Sequence, residues 1–216
     1  MLPVNSIQVD IVSDVVCPWC YVGYKQLLQA AKALDIELTV SWRPFQLNPN
    51  MAQEGQNLRE HLIEKYGISE QDSVNARERL KNVGEELGIN FNFTDDSRIY
   101  NTMDAHKLLA FASELDKQNE LKQALFNAYF TEQKNISDRL VLMDITKHLG
   151  LDVDDIEQAL NSDQLKQLVT REIQSFQAQG ITGVPAMIFK QKYLVTGAQG
   201  IDNYKNILTQ LVAENN

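Results

Sequence analysis

Ile7-Gln8-Val9-Asp10-Ile11-Val12-Ser13-Asp14-Val15-Val16-Cys17-Pro18-Trp19-Cys20 is the stretch that decides the fold. Ile7, Val9 and Ile11 alternate with Gln8 and Asp10, the period of a half-buried strand, so a short strand ends at Ser13 or Asp14. The two cysteines follow at once. Pro18 suits a first helical turn, where its missing N–H has no partner to lose. From it a helical pattern runs to Leu34, with Tyr24, Leu27, Ala31 and Leu34 on one face. Leu38, Val40 and Trp42 then alternate with Thr39, Ser41 and Arg43 as a second strand. The connection is long enough for a parallel crossover, which makes this a strand–helix–strand unit.

A Cys-x-x-Cys at the junction of a strand and a helix has a mechanical meaning. Cys17 meets the helix N-terminus, where unpaired N–H groups and the helix dipole favour an anion. That geometry predicts an exposed Cys17 with a lowered pKa, a good nucleophile near neutral pH, and a shielded Cys20 one turn further on that resolves the adduct. Two other readings compete. Half of a zinc site would need two further ligands, and there is no second Cys-x-x-Cys, while His61, His106 and His148 lack ligand spacing. A pair of inert buried thiols is the other.

Beyond Pro44 and Pro49, which bracket a loop, the strand signal gives way to helical periodicity. Ser69 with Asp72 has the spacing of a capping box, and Gly88 stands where that helix would stop. Apolar stripes follow at Ala105 to Leu115, Leu121 to Tyr129, Leu142 to Leu149 and Leu165 to Phe176. Residues 55–178 therefore read as a helical block between residues 1–54 and 179–216. Ala186-Met187-Ile188-Phe189 and Tyr193-Leu194-Val195, separated by a polar tripeptide, form a hairpin signal. Asp202 is placed to cap a closing helix with Tyr204, Ile207, Leu208 and Leu211 on its face.

The chain has 216 residues, 44% of them hydrophobic, enough for a sizeable core. Twenty Lys and Arg against 29 Asp and Glu give a net charge of −9 with no basic block, which argues against nucleic acid and anionic membrane as partners. No run approaches the roughly 18 to 20 apolar residues of a membrane span. Met1 to Asp10 lacks a basic, an apolar and a cleavage region, so a cytoplasmic location is expected, with Met1 read as an intact start. In a reducing cytosol two cysteines at this spacing read as catalytic or metal-binding, not structural.

Four segments together carry a resemblance: residues 14–23 around Cys17-Pro18-Trp19-Cys20, Arg43-Pro44-Phe45-Gln46-Leu47-Asn48-Pro49, Gly180-Ile181-Thr182-Gly183-Val184-Pro185 and Gly197-Ala198-Gln199. They resemble the FrnE-type branch of the DsbA-like thioredoxin-fold proteins, related to 2-hydroxychromene-2-carboxylate isomerases and kappa-class glutathione transferases. The resemblance covers essentially the whole chain. It implies an α/β, thioredoxin-like fold with a long all-helical domain inserted between an N-terminal strand–helix–strand unit and a C-terminal strand–strand–helix unit. It also implies that Val184-Pro185 is the Val–cis-Pro pair facing the cysteines. Residue physics alone favours a trans bond, since only about 5–6% of X–Pro bonds in folded proteins are cis.

The implied activity is thiol–disulfide oxidoreduction through Cys17 and Cys20, with Pro18, Trp19, Val184 and Pro185 contacting substrate. Protein or small-molecule disulfides and thiols are the expected partners. No metal and no bound cofactor is expected, and glutathione enters only as an optional co-substrate. Trp19, where DsbA-type oxidants usually carry His, hints at a weaker oxidant. A glutathione-dependent isomerase or transferase is the first alternative, although those enzymes typically present serine at the position of Cys17. A non-catalytic, chaperone-like binding module is the second. Asn101-Thr102-Met103-Asp104-Ala105-His106 resembles the segment that turns an inserted helix towards the cleft, so His106 reads either as a thiolate-tuning group or as packing, the commoner case. Asp14 reads as a strand-end turn residue and Arg43 as a solvated strand terminus.

Overall fold

A computed structural model describes residues 6–214, so the expectations resting on Met1 to Asn5 lie outside the described residues. Strand β1 spans Ser6–Ser13, helix α1 Pro18–Ala33 and strand β2 Glu37–Pro44, with β1 and β2 parallel and Val9 opposite Val40. The hairpin strands are β5, Ala186–Phe189, and β6, Tyr193–Thr196. Antiparallel pairing of β5 with β1 and with β6 gives one sheet in the order β2-β1-β5-β6. β1 is central for a reason visible in its composition: Ile7, Val9, Ile11 and Val12 are all buried, as befits a strand flanked on both sides.

Between β2 and β5 lie β3 (Gln56–Asn57), α2 (Leu58–Tyr66), α3 (Glu70–Glu86), β4 (Arg98–Ile99), α4 (Met103–Ser113), α5 (Gln118–Phe130), α6 (Arg139–His148), α7 (Val153–Asn161) and α8 (Asp163–Ala178); α9, Ile201–Ala213, closes the chain. The chain is thus α/β with a thioredoxin-like arrangement and a long helical insertion, which also carries the short antiparallel pair β3–β4. Ser69 and Asp72 do form a capping box at the start of α3. At α9 the cap is Gly200, and Asp202 sits inside the first turn instead. Leu115 falls beyond α4 and is exposed, because α4 ends at Ser113 and the chain turns away from the core.

The insertion is bonded to the sheet by side chains. β2 is an edge strand, and the Gln118 amide covers it: its Oε1 accepts from Trp42 N at 2.9 Å, and its Nε2 donates to Trp42 O at 3.0 Å. Asn119 Oδ1 accepts from both the Tyr24 hydroxyl and the Trp42 indole. Tyr21 of α1 stacks on Phe126 of α5, with ring centres 4.7 Å apart.

Candidate active site

Cys17 is the residue before the first turn of α1, in extended conformation, with Pro18 opening the helix. The turn that delivers it from β1 is closed by Cys17 N–H donating to Asp14 O, and Cys20 N–H donates to Cys17 O. Facing it across the cleft is the start of β5, where the Val184–Pro185 peptide is cis. The Cys17 thiol donates to Val184 O over 3.7 Å, a contact between residues 167 apart in sequence. Pro18 and Trp19 are half-buried at the same mouth, as is Val184, while Pro185 is buried beneath it. The Arg79 guanidinium of α3 lies over the Trp19 ring, 5.7 Å from its centre.

Burial corrects one expectation about the pair. Cys17 is only 4% exposed and Cys20 fully enclosed, so Cys17 is the outer sulfur without being an open one. The neighbouring Cys20 thiol first and burial second push Cys17 well above the ordinary thiol range. Burial pushes Cys20 up as well, but hydrogen bonds from Cys17 and Ser13 and the charge of Lys122 outweigh it and bring Cys20 below its ordinary value. The two thiols therefore titrate as one coupled pair.

Asp14 and His106 are both buried behind the thiols. Asp14 accepts from Leu47 N–H at 2.8 Å, and His106 Nε2 lies 2.9 Å from Phe45 O and 3.3 Å from Asp14 Oδ1. Asp14 is thus a buried clamp on the loop after β2, more than a turn residue. Arg43, near the end of β2, keeps 36% of its side chain exposed and is also paired: its Nε donates to Asp10 at 2.7 Å, and it stands 3.6 Å from Glu172. Lys122 was not singled out from sequence; it is 1% exposed and interacts electrostatically with Cys20, Asp14 and Cys17. Its only advance signal was a lysine between Leu121 and Leu125, four residues before Phe126. Among the described residues no three His, Cys, Asp or Glu side chains converge as a metal site would require.

The DSBA-like thioredoxin domain model matches residues 8–209 of the chain. The chain belongs to that family. Within it, the chain is similar to the crystal structure of a probable DsbA oxidoreductase, SCO1869 from Streptomyces coelicolor, at 28% identity and a TM-score of 0.89, covering 96% of this chain and 91% of the other. It is similar to the uncharacterized protein YwbO of Bacillus subtilis, 26% identical over 94% of this chain and 96% of that one. The cytosolic disulfide reductase DsbM of Pseudomonas aeruginosa, solved with GSH, shares the fold at 16% identity and a TM-score of 0.66, covering 95% and 99% of the two chains. A 2-hydroxychromene-2-carboxylate isomerase shares it too, so DsbA-like architecture spans both oxidoreductases and isomerases. These neighbours agree with the FrnE-type resemblance.

Proposed function

We propose that this DsbA-like protein is a dithiol–disulfide oxidoreductase working through Cys17 and Cys20. The observation that carries the reading is the hydrogen bond from Cys17 to Val184 O: it sets the outer sulfur beside the backbone edge that leads into β5. A substrate strand pairing with that edge would bring its own sulfur to Cys17. Cys17 reacts as its thiolate while Cys20 keeps its proton. Cys17 attacks one sulfur of the substrate disulfide, the substrate S–S bond breaks, and its other sulfur departs as thiolate. Cys20 then loses its proton and attacks Cys17, which closes the protein disulfide and releases the second substrate thiolate. Reduction of a partner runs the same steps backwards.

Pro18, Trp19, Val184 and Pro185 form the substrate contacts in this reading, and neither a metal nor a bound cofactor takes part. Glutathione belongs among the small thiols the cleft would accept, a proposal supported by the DsbM structure containing it. A cytoplasmic setting is supported by the cytosolic description of that relative and by a chain with no structural disulfide. Among the described residues no helix is long and apolar enough to cross a membrane.

The test is equilibration of the purified protein in glutathione redox buffers followed by acid quenching. Cys17 and Cys20 should titrate together as one two-electron couple, and turnover of a disulfide peptide should vanish in Cys17→Ala. Full turnover in a protein lacking both cysteines would remove the reading.

A further inference from the structure

Arg79 belongs to the helical insertion, yet its guanidinium stands over Trp19, the ring between the two cysteines, 5.7 Å from the ring centre. Trp19 follows Cys17 by two residues and is half-buried at the cleft mouth, so the cation is held beside the entrance to the outer sulfur. The Arg79 side chain is exposed, and among the described residues its N–H groups meet no carboxylate and no other hydrogen-bond acceptor. Other arginines of this chain, which has 29 acidic residues, are engaged. Two positions earlier on α3, Arg77 donates to Thr94 O and faces Asp95, which also pairs with Arg59. Arg43, Arg98 and Arg139 are likewise bonded to carboxylates or carbonyls.

An aromatic face engages a cation without using its N–H groups as donors. The planar fork of Arg79 is thus left for a carboxylate, with which a guanidinium forms two parallel bonds. The groups that chiefly shift the Cys17 thiol are Cys20 and Asp14, not Arg79, so the charge of Arg79 is directed at what enters the cleft. Asp14 is buried behind the thiols, clamped on Leu47 and His106, and is no partner for it. An extended substrate advances about 3.3 Å per residue, which puts a side chain one or two residues from the reacting cysteine within reach of a group stationed over Trp19.

We propose that Arg79 is a specificity-determining residue of the cleft, selecting disulfides that carry a carboxylate within a residue or two of the reacting sulfur, as in an acidic peptide segment around a cysteine. This deepens the dithiol reading above and rests on it. In the encounter the carboxylate pairs with the guanidinium fork while the substrate sulfur meets Cys17. The gain lies in capture of the substrate, and the bond changes at sulfur are those already described.

Arg79→Gln removes the charge, and Arg79→Lys keeps it without the planar fork. Lys81→Gln removes one charge from the same helix, about 200° round its axis from Arg79. One experiment needs only a thiol. In a Cys20→Ala background Cys17 reacts with dithiobis(nitrobenzoate), which bears a carboxylate on each ring, or with uncharged dithiodipyridine; half of the reagent joins Cys17 and the other half leaves as a coloured thiolate. The ratio of the two rates should fall about threefold in Arg79→Gln and hold in Lys81→Gln, with Arg79→Lys between. The second experiment is turnover of disulfide peptides with Glu or Gln beside the cysteine. The parent should favour the Glu peptide about fivefold, through KM and not kcat, and the preference should vanish in Arg79→Gln and shrink as salt is raised. An unchanged ratio in Arg79→Gln, a Lys81→Gln ratio displaced as far, or a parent that turns over both peptides alike would overturn the proposal. If the parent turns over neither peptide, the dithiol reading falls, and the ratio of probe rates still judges Arg79 by itself.

Discussion

A lysine enclosed by Trp42, Phe126 and the thiol pair has a thermodynamic signature of its own. Burial lowers Lys122 from 10.5 to about 8, against upward pulls from Cys20, Asp14 and Cys17. The unfolded chain therefore binds this proton more tightly than the folded one, and stability should rise with pH through the window from about 8 to about 10.5. Below that window the cost is fully present, on the order of 3 kcal/mol by the size of the shift. Lys122→Met should thus stabilise the protein at neutral pH, with the gain disappearing above the window; denaturant unfolding at several pH values checks this. Equal stability of parent and variant at neutral pH would contradict it. At this scale the cysteines were legible because their spacing and their place between strand and helix mean something locally. Lys122, and the clamp of Asp14 on Leu47 and His106, were not. Their partners come from α1, α4 and the loop after β2, and no local pattern announces a contact between residues 92 apart such as Asp14 and His106.

Elements were readable where they carry their own punctuation. The Ser69–Asp72 capping box and Pro18 at the start of α1 act within one turn and need no tertiary help. α2 is nine residues of polar sequence with none of them buried, so no stripe stands out, and α7, also nine residues, confines its stripe to Ile156, Ala159 and Leu160. The end of α4 was misread for a related reason: Leu115 continues the apolar spacing although the chain has already left the core. One glycine shows how packing overrules propensity. In α3, Ala would be favoured over Gly84 by about 1 kcal/mol from helix propensity. A Cβ there would stand 2.6 Å from the Phe91 ring and 2.8 Å from Ile89 O, and backbone cannot yield as a flexible side-chain tip does. The clash wins. Gly84→Ala should destabilise by about 1–3 kcal/mol in urea unfolding, and a neutral or stabilising result would mean that the turn after α3 relaxes freely.

For the whole molecule, the site exists only because distant parts of the chain are brought together. Cys17 comes from the start of the chain, Val184 and Pro185 from beyond the helical insertion, and the charge behind Cys20 from the middle of that insertion. Gln118 and Asn119 fasten the insertion to β2 and α1, so the helix that carries Lys122 is held to the sheet that presents the thiols. The broad architecture was visible in sequence, since strand periodicity appears only at the two ends and helical periodicity fills the middle. Which faces meet was not, because stripes state that a surface is buried without saying against what. The central claim is a division of labour between the two sulfurs, and covalent trapping tests it most directly. Cys20→Ala and Cys17→Ala, each incubated with a disulfide-containing peptide, quenched in acid and examined by intact mass, should behave oppositely. Cys20→Ala should accumulate a mixed disulfide at Cys17 that reductant removes, and Cys17→Ala should form none. Equal adducts on both variants, or none on Cys20→Ala while the parent still turns the peptide over, would contradict the account.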